Sequence, residues 1–200
     1  IILGTTVAGR NHPDLENLIG IFINTIAFKT TIQPEQTFVS LVEQTHQHLL
    51  EDIQHQDLPF ELLLQNMDIK RTPSITPLFQ SRFVFDEFES KDKKSRKGEL
   101  KFKETAFEWK SAKFDLSTYI FKEKNRLSGI IEYRADLFKK QTIQQFIKQF
   151  ITTLENSIMN PHAHLNELEM LTKEDKDELK NKKEEKTRKR LSLLKKTVHQ

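Results

Sequence analysis

The sequence predicts an α/β or α+β fold in which helices form layers with a sheet. Strand-like and helix-like segments alternate along the chain, which is typical of this class. Fifteen of the 200 residues are Phe, enough to supply a buried core and to exclude global disorder. No apolar run approaches the roughly 18 residues that a membrane-spanning helix needs. Cys is absent, which excludes disulfides and fits a reducing, cytoplasmic compartment. No secretory leader opens the chain, and we expect no membrane partner.

The first third of the chain predicts two strands and two helices. Residues 1–8 form a strand that ends before Gly9. Residues 19–31 are apolar and β-branched, which predicts a strand buried on both faces. Residues 37–54 change to the helical period, with their apolar side chains along one side. Pro59 is suited to open a short helix over Phe60–Gln65.

The middle of the chain predicts more strands and then the clearest helix. Residues 78–88 alternate in polarity and predict a strand. Further strands are predicted at 100–107, 113–122 and 127–134, whereas the charged segment 89–99 predicts a solvated connection. Glu123 to Arg126 predict a short hairpin turn. Apolar residues recur at steps of three and four over 141–158, and Asn160-Pro161 ends that helix.

The basic charge of the chain lies in its last residues. Residues 173–200 hold eleven Lys or Arg and six Asp or Glu, whereas the rest of the chain carries a slight negative excess. The folded part therefore lacks the charge balance of a nucleic-acid-binding domain, and we expect no nucleic acid partner. Thr172 and Asp175 resemble a capping pair, and residues 173–196 predict a polar, exposed helix.

The residue types provide no complete catalytic set. His46 and His48 are two residues apart on a helix and face different directions, so no metal site is expected. The sequence has neither a GxSxG motif nor a phosphate-binding glycine loop. His55 and Asp57 suit either an oriented base or the anchoring of backbone groups between two helices, and anchoring is the favoured interpretation.

Three segments resemble a known family. Residues 19–25 (IGIFINT) resemble the IGxFxNT motif of condensation domains from nonribosomal peptide synthetases, and residues 55–61 match their HQDxPFE motif. Residues 71–78 (RTPSITPL) are similar to a degraded RDxSRNPL. Residues 112–117 and 130–138 agree with the family as well. The resemblance implies a two-lobed, chloramphenicol acetyltransferase-like layered fold, of which this chain is one lobe with a mixed sheet flanked by helices.

The chain departs from the family pattern in two ways. Thr72, Ile75 and Thr76 replace an acid, an arginine and an asparagine of the third motif, and Lys29 stands where the first motif usually ends in arginine. The family's catalytic HHxxxDG motif is absent, because no two histidines are adjacent. The chain therefore resembles a carboxy-terminal lobe over residues 1–171, followed by a charged linker or extension at 172–200. Whether it is an enzyme stays open, and alone it is expected to be inactive.

The resemblance implies formation of an amide between a donor acyl or peptidyl thioester and an acceptor aminoacyl thioester. This lobe would supply a tunnel wall and a carrier-docking surface. No cofactor is expected to bind directly, since phosphopantetheine arms carry both substrates. The implied partners are the amino-terminal lobe, peptidyl carrier domains and adjacent synthetase domains. A heterocyclisation domain stays open as an alternative subtype to an ordinary condensation domain. The alternative is a noncatalytic recognition module that recruits a carrier protein or a tailoring enzyme.

Within the lobe, Asn24 and Thr25 are the predicted substrate-binding residues. An unpaired amide in an apolar strand is costly, so Asn24 needs the substrate, the other lobe or its own backbone neighbours as a partner. The loop from Gly9 to Gly20 is predicted to reach the other lobe. No catalytic residue and no metal ligand is assigned. The remaining motif residues are assigned structural roles: Gly20, His55, Gln56, Asp57, Pro59, Phe60, Glu61 and Asp115.

Overall fold

The computed structural model describes residues 1–67, 69, 72, 75–87, 111–172, 174–181, 183–185 and 187. The chain divides into two compact units. The first unit contains residues 1–32 and 42–139, and the second contains residues 33–41 and 140–200. This division groups residues 33–41 with the carboxy-terminal part of the chain, whereas the sequence predicted one division at residue 171. The predicted division stays a prediction.

A five-stranded mixed sheet organises the first unit. Its strands are β1 (Ile2–Val7), β2 (Asn24–Lys29), β3 (Ser81–Glu87), β4 (Leu116–Glu123) and β5 (Arg126–Tyr133). Their spatial order is β2-β1-β3-β4-β5. The outer pairs, β1 with β2 and β4 with β5, are antiparallel. The inner pairs, β1 with β3 and β3 with β4, are parallel. The mixed sheet predicted from the sequence is confirmed.

A two-residue turn connects β4 to β5. Glu123 pairs with Arg126 across the turn, so the predicted hairpin is confirmed. Lys124 has a φ of 43°, in the left-handed region that L residues rarely occupy. Two-residue hairpin loops need this conformation because it matches the right-handed twist of the strands.

The predicted helices are present with small changes at their ends. They are α1 (Phe38–Gln54), α2 (Phe60–Asn66) and α3 (Lys140–Met159). Pro59 precedes α2 with a φ of −60°, and its carbonyl oxygen accepts hydrogen bonds from the backbone N–H groups of Leu62 and Leu63. A proline here is favourable, because the first N–H groups of a helix have no partner within the helix.

The second unit is built around α3 and the residues that follow it. The backbone N–H of Val39 donates to the carbonyl of Pro161 at 3.0 Å, and Thr37 forms an isolated bridge with His164. Residues 174–181 are helical. The backbone N–H of Asp175 donates to Thr172 Oγ1 at 3.1 Å, and that of Thr172 donates to Asp175 Oδ2 at 3.2 Å. The predicted capping pair is therefore confirmed.

The prediction of a strand buried on both faces over 19–31 is wrong in two respects. The strand begins only at Asn24, and it lies at one edge of the sheet, where Ile26 and Phe28 are buried on one face. Ile19 and Ile21 precede the strand and are 104% and 94% exposed. Apolar character alone does not distinguish a buried strand from a loop whose side chains need a covering surface.

Two other predictions fall where the structure gives no description. The strand predicted at 100–107 and the connection at 89–99 lie outside the described residues. Residues 188–196 of the predicted polar helix lie outside them as well. Within the described part of the chain, no helix combines the length and the apolar character needed to cross a lipid bilayer.

Phe79 is the centre of the core of the first unit. Its side chain is 1% exposed, and its ring lies 5.5 Å from the rings of both Phe60 and Phe114. The ring also lies directly over Gly4 in β1. A Cβ atom at Gly4 would be 2.1 Å from Phe79 Cε2, so the aromatic core requires glycine at this position.

We predict that Gly4→Ala destabilises the protein by about 1–3 kcal/mol, because the added methyl group would displace a buried ring. The measurement is the free energy of unfolding from urea denaturation. Gly20→Ala is the matched control. Its Cβ would lie 3.1 Å from Phe22 Cε2 in an exposed loop, so a change within about 0.5 kcal/mol is expected. Equal stability of the two variants would contradict the proposed packing.

Candidate functional site

The side-chain amide of Asn24 joins the start of β2 to the segment between α1 and α2. Its Nδ2 donates to the carbonyl oxygens of Gln56 at 2.7 Å and Leu58 at 2.8 Å. Its Oδ1 accepts from the backbone N–H groups of Thr25 at 2.9 Å and Phe60 at 3.3 Å. Four hydrogen bonds use the full capacity of a primary amide. Among the three partners considered for Asn24, the structure therefore shows backbone within the same unit.

The HQDLPFE segment contributes mainly backbone groups to this arrangement. The carbonyls of Gln56 and Leu58 face Asn24, and Phe60 enters the aromatic core. Asp57 Oδ1 accepts a hydrogen bond from Asn11 Nδ2 at 2.7 Å, which ties the segment to the loop after β1. The imidazole of His55 is exposed, and its backbone carbonyl accepts from the N–H of Leu58 at 3.1 Å. These contacts favour anchoring for His55 and Asp57.

A second anchor closes the loop that precedes β2. The guanidinium of Arg10 donates to the carbonyl of Leu15 and, at 3.4 Å, to that of Gly20. It also lies 4.4 Å from the centroid of the Phe22 ring. Gly9 has a φ of 63°, and a Cβ there would be 1.9 Å from the carbonyl oxygen of Phe22. Arg10 and Gly9 therefore define the shape of residues 9–22.

This closed loop presents apolar side chains outward. Leu18, Ile19, Ile21 and Ile23 are each more than half exposed, with Ile19 fully so. Four large aliphatic side chains within six residues form an apolar surface, which we call the isoleucine loop. Contiguous exposed apolar surface of this kind marks contact sites for other protein surfaces.

Asp115 forms an ion pair with Arg134, which also pairs with Asp136. Arg134 Nη1 lies 3.3 Å from Asp115 Oδ1, and Arg134 Nη2 lies 2.6 Å from Asp136 Oδ2. The hydrogen bond from Arg134 holds the pKa of Asp136 below its usual range, while Asp136 and Asp115 hold the pKa of Arg134 above its own. The backbone N–H of Asp115 donates to Gln80, which fits the structural role predicted for this residue.

A cavity of about 300 Å³ lies beside these anchors in the first unit. Its apolar wall consists of the rings of Phe60, Phe79 and Phe114, of which the last two are stacked, together with Leu64 and Ile75. Phe79, Phe114 and Leu64 are buried, whereas Ile75 is 53% exposed at the mouth. The wall is therefore buried at the rings and at Leu64 and exposed to solvent at Ile75.

Polar groups line the remainder of the cavity. Hydroxyl groups come from Thr25, Thr72 and Thr76, and charged groups come from Glu61 and Lys113. Lys113 Nζ lies 5.7 Å from the centroid of the Phe114 ring, in cation–π contact. The cavity thus brings together side chains from all three motif segments and from residues 112–117.

The structure unites some of the predicted site residues and separates others. Thr25, Phe60 and Glu61 meet at the cavity, whereas Asp115 and Gly20 belong to separate anchors. The roles of Asn24 and Thr25 in substrate binding stay predictions. Lys113 and Ile75 were not singled out as site residues, although both lie in segments that carry the family resemblance.

A metal-binding arrangement is not found in the residues that the structure describes. No three of their His, Asp or Glu side chains lie close enough together to hold an ion.

The pKa of one carboxyl group in α1 is shifted by its surroundings. Partial burial raises the pKa of Asp52, and the nearby His48 opposes this effect.

The mixed sheet, the helices and the converging motif segments define the chain as a mixed α/β protein. Residues 1–180 match the Condensation domain family model, so the chain belongs to the condensation domain family. Tyrocidine synthase 3 of Brevibacillus parabrevis is 34% identical over 179 residues, which are 90% of this chain and 3% of that protein. Gramicidin S synthase 2 of Brevibacillus brevis is 34% identical over 175 residues, 88% of this chain and 4% of that protein.

Solved structures show the same fold. A four-domain nonribosomal peptide synthetase bound to AMP and glycine superimposes with a TM-score of 0.78 at 22% identity, over 86% of this chain and 14% of that one. The X-domain of teicoplanin biosynthesis, in its complex with OxyB, gives a TM-score of 0.73 at 23% identity, over 86% of this chain and 38% of the X-domain structure's chain. The chain thus spans only a small part of the synthetases that it matches.

We predict that Asn24→Ala destabilises the protein by about 2–4 kcal/mol, since four backbone groups lose their partner. Thermal and urea denaturation provide the measurement. Asn11→Ala is the control, because it removes one exposed hydrogen bond to Asp57, and a loss of no more than about 1 kcal/mol is expected. An Asn24 variant as stable as the Asn11 variant would refute the anchoring role.

We also predict a pH signature for the pair Arg134–Asp136. Because the folded-state pKa of Asp136 is lowered, its contribution to stability is present above the unfolded-state pKa and is lost as the pH falls through the folded value. Asp136→Asn should therefore be less stable than the wild type at neutral pH and equal to it in strong acid. Unfolding midpoints across the acid range test this, and a pH-independent difference would contradict it.

Proposed function

We propose that the chain is the carboxy-terminal lobe of a condensation domain that joins a donor acyl or peptidyl thioester to an acceptor amine. Three motif segments meet around one cavity in one unit, yet the sequence contains no adjacent pair of histidines. This observation carries the proposal, because the chain has the motif segments of the family but lacks the family's catalytic HHxxxDG motif. In this proposal residues 1–171 form the lobe, and residues 172–200 form a charged linker or extension.

The proposed reaction needs a site that orients two tethered groups. The acceptor amine attacks the thioester carbonyl, a tetrahedral oxyanion forms, and the thiol leaves as the amide forms. Holding both groups in place removes much of the entropic cost of a reaction between two molecules. The histidine motif of an amino-terminal lobe would handle proton transfer or positioning. This lobe would provide the facing wall of the tunnel and part of the carrier-docking surface.

Asn24 suits a positioning role in that wall. It holds the backbone of Thr25 and of Phe60 at fixed distances, and both of these residues line the cavity. We propose that Thr25 is the group of the first motif that faces substrate, and that Asn24 holds it in place. His55, Asp57 and Asp115 act as anchors and stay outside the chemistry.

The isoleucine loop is the proposed contact with the amino-terminal lobe. Its four aliphatic side chains are exposed in this chain, and condensation-domain structures extend well beyond the part that this chain matches, which is 38% of one such chain. Covering these side chains would remove apolar surface from water, at about 25 cal/mol for each Å². Carrier domains bearing phosphopantetheine arms and adjacent synthetase domains are the other proposed partners.

A second candidate function is a noncatalytic recognition module. The X-domain of teicoplanin biosynthesis has the same fold and was solved in complex with OxyB. A domain of this type would recruit a tailoring enzyme or a carrier protein to an assembly line. The two functions differ in one requirement, because only the condensing function needs the HHxxxDG motif in the accompanying lobe.

We predict that this chain alone forms no amide, and that joining it to an amino-terminal lobe with an intact HHxxxDG motif yields the amide. The assay mixes two loaded carrier proteins and detects the product by mass spectrometry. The control replaces the second histidine of that motif with alanine and should abolish the product. A correctly folded two-lobed protein that forms no amide would overturn the condensing function and favour the recognition module.

A further inference from the structure

The departures of this chain from the third family motif fall in one place. Thr72, Ile75 and Thr76 stand where the motif has an acid, an arginine and an asparagine, and all three line the 300 Å³ cavity. Two charged groups and one amide are thereby replaced by two hydroxyl groups and an aliphatic side chain. The acid, the arginine and the amide of the family motif are thus absent from the lining of this cavity.

The apolar part of the cavity is lined by three aromatic rings. Phe60, Phe79 and Phe114 form a continuous row in which neighbouring centroids are 5.5 Å apart. An apolar group inserted against this row and against Ile75 would gain both dispersion contacts and burial. A volume of about 300 Å³ lies at the lower end of the range for small-molecule pockets, so it fits a single side chain.

The charge at the cavity indicates which end of a ligand faces Lys113. Among the residues that the structure describes, no carboxylate lies within ion-pair distance of Lys113 Nζ, which rests over Phe114. An ammonium group at this position can donate hydrogen bonds to a carbonyl or carboxylate oxygen of a ligand. Glu61 also lines the cavity and disfavours an acidic side chain there.

We propose that this cavity binds one apolar side chain, aromatic or branched aliphatic and no larger than that of phenylalanine, with the adjoining carbonyl oxygen near Lys113. The identity of the bound group as part of a carrier-bound substrate rests on the proposed function. In that role, Ile75, Thr72 and Lys113 determine specificity by selecting substrates with an apolar side chain. Restoring the motif residue at position 75 would fill the space that the side chain occupies.

The test measures the binding of N-acetyl-L-phenylalanine to the protein by saturation-transfer NMR and calorimetry. N-acetylglycine is the comparison ligand. The wild type is expected to bind the phenylalanine derivative at least tenfold more tightly than the glycine derivative. Ile75→Arg should remove this preference. Ile130→Arg is the matched control, because Ile130 is 59% exposed on β5 and lies outside the cavity, and it should bind as the wild type does.

Two further variants separate loss of binding from loss of structure. Thr72→Trp blocks the exposed rim of the cavity and should also lower affinity at least tenfold while the unfolding midpoint is unchanged. Lys113→Gln should weaken binding several-fold, whereas Lys139→Gln, exposed and outside the cavity, should not. Circular dichroism of each variant establishes that it is folded.

One pair of results overturns the proposal. If the wild type binds both ligands equally or not at all, and Ile75→Arg raises the unfolding temperature, the cavity is a packing defect that the motif arginine would fill. This readout needs no amide formation, so its failure leaves the condensing function intact. Conversely, selective binding in a two-lobed protein that forms no amide would support the pocket and reject only the condensing role.

Discussion

One side-chain amide determines how the segments of the first unit meet. Asn24 stands at the first residue of an edge strand, and its four hydrogen bonds reach the carbonyls and N–H groups of the segment between α1 and α2. Each of those backbone groups lies near the end of a helix or strand, where regular hydrogen bonding stops. Through this amide, the position of β2 fixes the position of α2 and of the cavity wall.

The aromatic core depends on that placement. Phe60 follows the anchored segment directly, and it contacts Phe79, which lies over Gly4 of β1. Part of the high Phe content of the sequence thus serves to join β1, α2 and the start of β4, because Phe60, Phe79 and Phe114 pack into one apolar layer. Lys113 and Arg82 both lie over the Phe114 ring, at 5.7 Å and 5.2 Å, so the layer ends in positive charge.

Local sequence patterns predicted most helices and turns. Features that depend on tertiary contacts were not predicted. The helical period of residues 141–158 and the turn at 123–126 depend on neighbours in sequence, so both appeared as predicted. The exposure of Ile19 and Ile21 did not, because apolar composition carries no information about which surface covers a side chain. The cavity joins residues 25, 60, 75 and 113, which are distant in sequence, so no local pattern could have revealed it. The family motifs located its segments without revealing that they converge.

The isoleucine loop leads directly into β2, the edge strand of the described sheet, and this has a consequence for handling the protein. The stretch from Leu18 to Phe28 is apolar, β-branched and free of charge and of proline, which is the composition of segments that pair between chains. An edge strand leaves one row of backbone groups unpaired, and here the adjoining side chains are exposed as well. We therefore expect the isolated chain to self-associate through this stretch at high concentration.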